Sequence, residues 1–314
     1  MKKLHYKDIC LLPQYSKLRS RKYAEVSVDF LDHKFKLPII PANMKCVINE
    51  SLAHWFSEND YFYVMHRFGI DNYEFVRNSQ SWKTISISVG VQQSDKDCLL
   101  KMAKDKVYPD FITIDIAHGH SILMKEMLEF IVNLEIPSKI IAGNVATISG
   151  YQDLSDWGAD AVKVGIGQGG VCSTKNKTGF TFPMYSCINE IAKFDIGVPI
   201  IADGGIKENG DIAKALHAGA SMVMAGGIFS RLIDSPADLV NGQKVYYGSA
   251  SEYNKKEYKN VEGLKKSIEL DYMTYKDKLM EIEQDLQSSV SYAGVNNINN
   301  IMMAKYMQVS SWEI

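Results

Sequence analysis

The sequence predicts an α/β chain folded as a (β/α)8 TIM barrel, with an N-terminal extension and a mobile C-terminal flap. Three observations carry this. Apolar runs of strand length occur eight times, each followed by a stretch with helical spacing, the alternation expected of βαβ units in a parallel sheet. Glycine and polar residues gather at the C-terminal ends of successive runs, the rim on which barrels build their sites. A length of 314 residues suits one such domain with additions, so a single domain is expected over 1–314. A doubly wound open sheet is the alternative.

Taken in order, residues 1 to about 36 precede the repeat. The N-terminus mixes Lys2, Lys3, Lys7 and Asp8 with short apolar stretches, so no signal peptide is expected. The eight runs cover residues 37–40, 61–65, 84–89, 111–115, 139–142, 161–164, 199–202 and 221–224. The fourth ends in Asp115-Ile116-Ala117-His118-Gly119-His120 and the fifth in Gly143-Asn144. The sixth ends in Gly165-Ile166-Gly167-Gln168-Gly169-Gly170, the seventh in Asp203-Gly204-Gly205 and the eighth in Ala225-Gly226-Gly227. Turn formation accounts for single glycines but not for this clustering at one end. Residues 241–290 are rich in Lys, Tyr, Ser and Glu and read as an active-site flap. A solvated charged helix with a linker is the other reading of that span.

Composition narrows the function. The chain is 46% hydrophobic and 23% charged, ordinary for a soluble globular protein. A net charge of −2 gives no basic field, so nucleic acid is not an expected partner. No window approaches about 18 uninterrupted apolar residues, so no membrane span is expected. Five scattered cysteines without a Cys-x-x-Cys pair argue against a disulfide framework and a zinc site. Cytoplasm is the expected compartment.

Several residues stand out chemically. Asp203-Gly204-Gly205 and Gly226-Gly227 follow the seventh and eighth runs, the usual phosphate position of a barrel. Glycine lets backbone N–H groups approach an anion, and Asp203 would accept from ribose hydroxyls. The competing reading is tight turns alone. Cys172 follows a loop with four glycines. A rim cysteine activated by backbone N–H groups or a nearby cation is a candidate nucleophile; a small buried residue is the alternative. Cys98 and Cys187 fall in helical patterns and read as structural. Cys46 follows the first run and could lie near the rim. His118 and His120 lack a third ligand in a metal pattern, so metal ligation is not expected there. His66-Arg67 follows the second run, as a contact to a cofactor phosphate or as a rim pair.

With these residues in hand, Val164-Gly165-Ile166-Gly167-Gln168-Gly169-Gly170-Val171-Cys172-Ser173-Thr174 resembles the catalytic loop of the IMP dehydrogenase and GMP reductase superfamily. The resemblance continues through Pro38-Ile39-Ile40-Pro41-Ala42-Asn43-Met44, Ile141-Ala142-Gly143-Asn144-Val145, Ile201-Ala202-Asp203-Gly204-Gly205-Ile206 and Tyr247-Gly248-Ser249. It covers essentially the whole chain in order. Two features point to the bacterial reductase branch. The second and third runs are too close for the regulatory CBS modules that the dehydrogenases commonly insert. Val261-Glu262-Gly263, followed by residues 285–294, is similar to the reductase flap, and no Arg-Tyr pair for water activation is found.

The resemblance implies NADPH-dependent reductive deamination of GMP to IMP and ammonia, within purine nucleotide interconversion. Cys172 would form a thioimidate at C2 of the guanine ring, while Thr174 and Glu262 handle the proton that an amine leaving group requires. It further implies that Asp203 binds ribose and that Gly205, Gly226 and Gly227 bind phosphate. Gly170 and Gly204 join the nucleotide site, and Gly248, Ser249, Ala250, Lys259 and Gly263 close over it. Asp115, Ile116, Ala117, Ile166 and Gly167 would face the nicotinamide cofactor. The carbonyls of Gly167, Gly169 and Cys172 would hold K+, and the assembly would be a homotetramer. The chain departs from many relatives in having Gly170 for Ser, and Lys175 and Lys259 for Arg, which keeps charge but loses the bidentate fork. The rivals are an IMP dehydrogenase lacking CBS modules and a catalytically silent GMP-binding barrel.

Overall fold

A computed structural model describes residues 3–255 and 262–309. Seven apolar runs become strands β1 (Ile39–Pro41), β2 (Ser86–Val89), β3 (Phe111–Asp115), β4 (Lys139–Val145), β5 (Ala161–Val164), β6 (Ile200–Asp203) and β7 (Met222–Ala225). They form one parallel sheet in the order β1-β7-β6-β5-β4-β3-β2. Runs so rich in Val and Ile suit a parallel sheet buried on both faces. The sheet is curled. Asn43, just past β1, donates from Nδ2 to Asp115 Oδ2 of β3 at 3.0 Å, although four strands separate β1 from β3 in the sheet order. This is a TIM-barrel-like arrangement.

The run at 61–65 differs from expectation. It is buried but makes a single parallel bridge, Met65 to Ile87, instead of a strand ladder. Met65 N donates to Ser86 O and Ser88 N to Met65 O, both at 3.0 Å, and side chains add further bonds. The Tyr63 hydroxyl donates to Thr84 O (3.0 Å) and accepts from Ser86 N (3.3 Å), and Ser88 Oγ donates to Met65 O (2.7 Å).

Helices follow the strands: α1 (Glu50–Glu58), α2 (Asn72–Asn78), α3 (Gln93–Asp105), α4 (Ile122–Asn133), α5 (Ile148–Asp156), α6 (Thr174–Thr178), α7 (Met184–Phe194), α8 (Asn209–His217), α9 (Gly227–Ser230), α10 (Glu252–Lys255) and α11 (Tyr275–Tyr292). Side-chain oxygens of Asn49, Asp71, Ser121, Thr147 and Thr274 accept a first-turn N–H, the local signal that starts a helix where the strand-to-helix loop ends. No helix among the described residues is long and apolar enough to cross a membrane.

Before β1, strands Val28–Phe30 and His33–Phe35 pair as an antiparallel hairpin. Its Phe30 and Phe35 rings pack on Phe62 at 5.5 and 5.0 Å, and Phe62 packs on Phe111 at 4.8 Å. Phe111 begins β3, so this cluster closes the N-terminal end of the sheet. Phe62 is fully buried, and Phe62→Ala is expected to lower the unfolding free energy by about 3–5 kcal/mol, read from the denaturant midpoint at unchanged slope. A loss below about 1 kcal/mol would mean that the cluster is not a packed core.

The span 241–290 holds two kinds of structure. Strands β8 (Leu239–Val240), β9 (Gln243–Tyr247) and β10 (Lys265–Glu269) form an antiparallel sheet. Helix α11 buries Tyr275, Leu279, Ile282, Leu286 and Val290 and packs on α8, as the three-to-four spacing of those residues requires.

Candidate active site

A cavity of about 360 Å³ opens at the C-terminal ends of the strands, with Lys163 at its base. β5 sets this lysine inside Ala161-Val162-Lys163-Val164, where its side chain is 2% exposed. Its ammonium lies 2.6 Å from Asp115 Oδ1 and 2.9 Å from Asp203 Oδ2. Asn144 Nδ2 donates to the same Asp203 oxygen (2.9 Å) and to Gly165 O (2.8 Å). A buried ammonium is tolerable only when paired in this way. Burial alone would lower the Lys163 pKa, but the two carboxylates outweigh it and hold the group above the usual lysine range. Burial alone would raise Asp115, and the Lys163 ammonium outweighs it, holding that carboxyl below its usual range. The network therefore fixes both carboxylates at the mouth of the barrel. Gly165 is required here. Its φ is +145°, and a Cβ built on it would lie 2.1 Å from Asp203 O.

Above this base lies a short chain of transferable protons. Cys172 Sγ donates to Thr174 Oγ1 at 3.2 Å, and Thr174 Oγ1 donates to Glu262 Oε2 at 2.6 Å. Backbone bonds hold the three together. Cys172 N donates to Gly169 O (3.0 Å), Ser173 N to Glu262 O (2.8 Å) and Leu264 N to Val171 O (2.8 Å). A thiol, a hydroxyl and a carboxylate in series have the chemistry for a nucleophile with a proton relay. Three other cysteines are poorly suited. Burial pushes the Cys46 thiol up to about 11 and the Cys187 thiol up to about 12, and it also raises Cys98. Cys46, a structural residue by its sequence although close to the end of the first run, is buried and donates to Tyr247 O at 3.3 Å.

Most of the expected residues meet at this cavity. Asp115, Ile116, Ala117, Ile166 and Gly167 line it, as do Gly169, Cys172, Thr174, Asp203, Gly204, Gly248, Ser249, Ala250, Glu262 and Gly263. Gly170, Gly205, Gly226 and Gly227 are not among its lining residues. The ring of Tyr246, which does line it, lies against three of these. A Cβ built on Gly226 would be 2.5 Å from the Tyr246 hydroxyl, and Cβ atoms on Gly170 and Gly227 would be 3.5 and 3.7 Å from its ring. Gly205 instead faces Met184 and Tyr6, 3.1 and 3.3 Å from a built Cβ. Lys259 lies outside the described residues. His120 pairs with Asp153 at 2.6 Å. Arg67 lines the cavity, and its buried Nε has no hydrogen-bond partner among the described residues.

Sequence reasoning missed Lys163, Tyr246 and the side chains of Asn43 and Asn144. Lys163 left a signal, since a lone lysine inside a four-residue apolar strand needs buried partners. Tyr246 left none, because the face it takes depends on the strand register of β9.

Comparison with known proteins shows the family of this chain. A family model for the IMP dehydrogenase / GMP reductase domain matches residues 3–313. Relatives named GMP reductase from Staphylococcus aureus strains JH9, N315 and Newman are each 46% identical over 316 aligned residues, covering 98% of this chain and 97% of the relative. The matched span includes the Cys172 loop, the strands that carry Asp115 and Asp203, and the β8–β10 sheet. This chain belongs to the IMP dehydrogenase / GMP reductase family.

Proposed function

We propose that the protein is an oxidoreductase that converts GMP to IMP and ammonia with NADPH. The observation that carries this reading is the hydrogen-bonded series Cys172–Thr174–Glu262 on one wall of the cavity. The 46% identity to proteins named GMP reductase supports the choice of substrate.

In this reading the Cys172 sulfur attacks C2 of the guanine ring, and its proton passes through Thr174 Oγ1 to Glu262. The relay then returns a proton to the C2 amine, because ammonia leaves easily only when protonated. Loss of ammonia leaves a covalent thioimidate. NADPH, when bound, supplies the hydride to C2. Cleavage of the carbon–sulfur bond frees IMP and restores Cys172. Asp203, held by Lys163 and Asn144, accepts from the ribose hydroxyls. Gly248, Ser249, Ala250 and Gly263 exclude water above the base.

The residues suit the cofactor. Asp115, Ile116, Ala117, Ile166 and Gly167 line the cavity, as does Arg67, whose buried Nε has no hydrogen-bond partner among the described residues. A buried guanidinium donor without an acceptor suits an anionic cofactor. Neutral carbonyl oxygens also suit K+, and in this reading those of Gly167, Gly169 and Cys172 would hold it. A bound K+ would stiffen the nucleophile loop. The finer architecture belongs to the same reading: a closed (β/α)8 barrel in which residues 61–65, bridged to β2 through Met65, take the eighth position, with an N-terminal extension, a flap that moves over the substrate, and a homotetramer.

Glu262→Gln tests the relay. It should slow ammonia release from GMP by about 100-fold, the usual worth of a general acid, and slow hydride transfer measured backward from IMP far less. Equal losses in both steps would remove Glu262 from the deamination step.

A further inference from the structure

Lys266 of β10 sits directly across from Tyr246 of β9 in the flap sheet. Residues opposite each other in an antiparallel pair share a face. This face is turned to the glycines after β5 and β7. The Tyr246 hydroxyl lies against Gly226, and Lys266 Nζ donates to Gly170 O at 2.8 Å. The neighbouring Lys265 faces the other way, with Nζ 3.9 Å from the Tyr253 ring centroid. Burial raises the Tyr246 pKa above the ordinary tyrosine range, so its hydroxyl remains a donor at neutral pH.

Gly170, Gly226 and Gly227 provide backbone but no charge. A phosphate monoester near neutral pH carries about −1.5 to −2 charges. A tyrosine hydroxyl and backbone N–H groups meet it with dipoles only, whereas an ammonium meets it with a charge-assisted bond of roughly twice the strength. Lys266 is already held at this glycine floor, on a neutral carbonyl that it can exchange for an anion.

We propose that Lys266 is the cation of the 5′-phosphate subsite, moving from the Gly170 carbonyl to the phosphate when a nucleotide enters. The proposal rests on the nucleotide reading above. It makes the flap selective, since a strand that carries a phosphate ligand closes favourably over a nucleotide and gains nothing from a nucleoside.

Calorimetric titration of the full chain with GMP and with guanosine tests this, using wild type, Lys266→Met and Lys266→Arg. Lys266→Met should weaken GMP about tenfold, the worth of one charge-assisted bond, and change guanosine less than about twofold. Lys266→Arg, which keeps the charge, should hold GMP within about threefold of wild type. Unchanged thermal midpoints would show that the variants fold. The proposal is overturned if Lys266→Met binds GMP like wild type, or if it loses GMP and guanosine in equal proportion, the mark of a purely structural loop contact. A wild type that does not prefer GMP to guanosine also overturns it. Failure of the wild type to oxidise NADPH with GMP would overturn the proposed activity, and the same binding ratios would still decide the role of Lys266.

Discussion

Cys172→Ala is expected to lower GMP turnover by at least about 1000-fold, as loss of a covalent nucleophile does, while GMP affinity stays within about threefold. The asymmetry follows from the site. Cys172 is one of many residues lining the cavity, and its Sγ contact is to Thr174, so removing the sulfur leaves Asp203 and the β8–β10 sheet untouched. What disappears is the atom that would form the bond to C2. Single-turnover measurements with GMP and NADPH, paired with equilibrium binding, check both halves. Normal turnover by the variant would end the covalent mechanism. A parallel loss of binding would instead make Cys172 a structural residue of its loop.

Lys163→Met is expected to destabilise the fold by about 3 kcal/mol near neutral pH, because removing one partner strands buried charge. The lower end of that range is appropriate, since Asp115 and Asp203 keep 23% and 21% exposure toward the cavity. The pH dependence should reverse in sign. In wild type, Asp115 is held below its ordinary value of 3.8, so its contribution is present above that value and disappears as pH falls through the folded pKa. In the variant, two neighbouring carboxylates without a cation are raised in the folded state. Their burden is absent at low pH and grows as pH rises through the ordinary carboxylate range and above. Denaturant unfolding across pH 3–8 reads both slopes, roughly the window in which carboxylates titrate. A variant as stable as wild type at every pH would show that Lys163 does not organise the two carboxylates.

The sequence made the local chemistry legible and left the distant contacts hidden. Cys172 stood out on its glycine loop, whereas Thr174, two residues on, took its role only from the family resemblance. Glu262 is 88 residues from Thr174 and emerged only through the family resemblance. Lys163 reaches Asp203 across 40 residues. Its presence in a buried strand was visible, but its partners depend on how the sheet curls. Apolar periodicity located seven strands of the sheet well, because burial on both faces leaves a continuous apolar run. It overstated 61–65, where backbone pairing to β2 is confined to Met65 and the Tyr63 hydroxyl bonds to Thr84 and Ser86. The glycines after β6 and β7 were visible as a floor, yet the Tyr246 ring that lies against Gly226 and Gly227 was not.

A paired cofactor assay on the purified protein separates the reductase from the dehydrogenase. One arm supplies GMP with NADPH, and the other supplies IMP with NAD. The first arm should oxidise NADPH only when GMP is present, releasing one ammonia per hydride transferred, and the second should form no NADH. Formation of NADH from IMP and NAD, without GMP-dependent oxidation of NADPH, would contradict the reductase reading and identify a dehydrogenase.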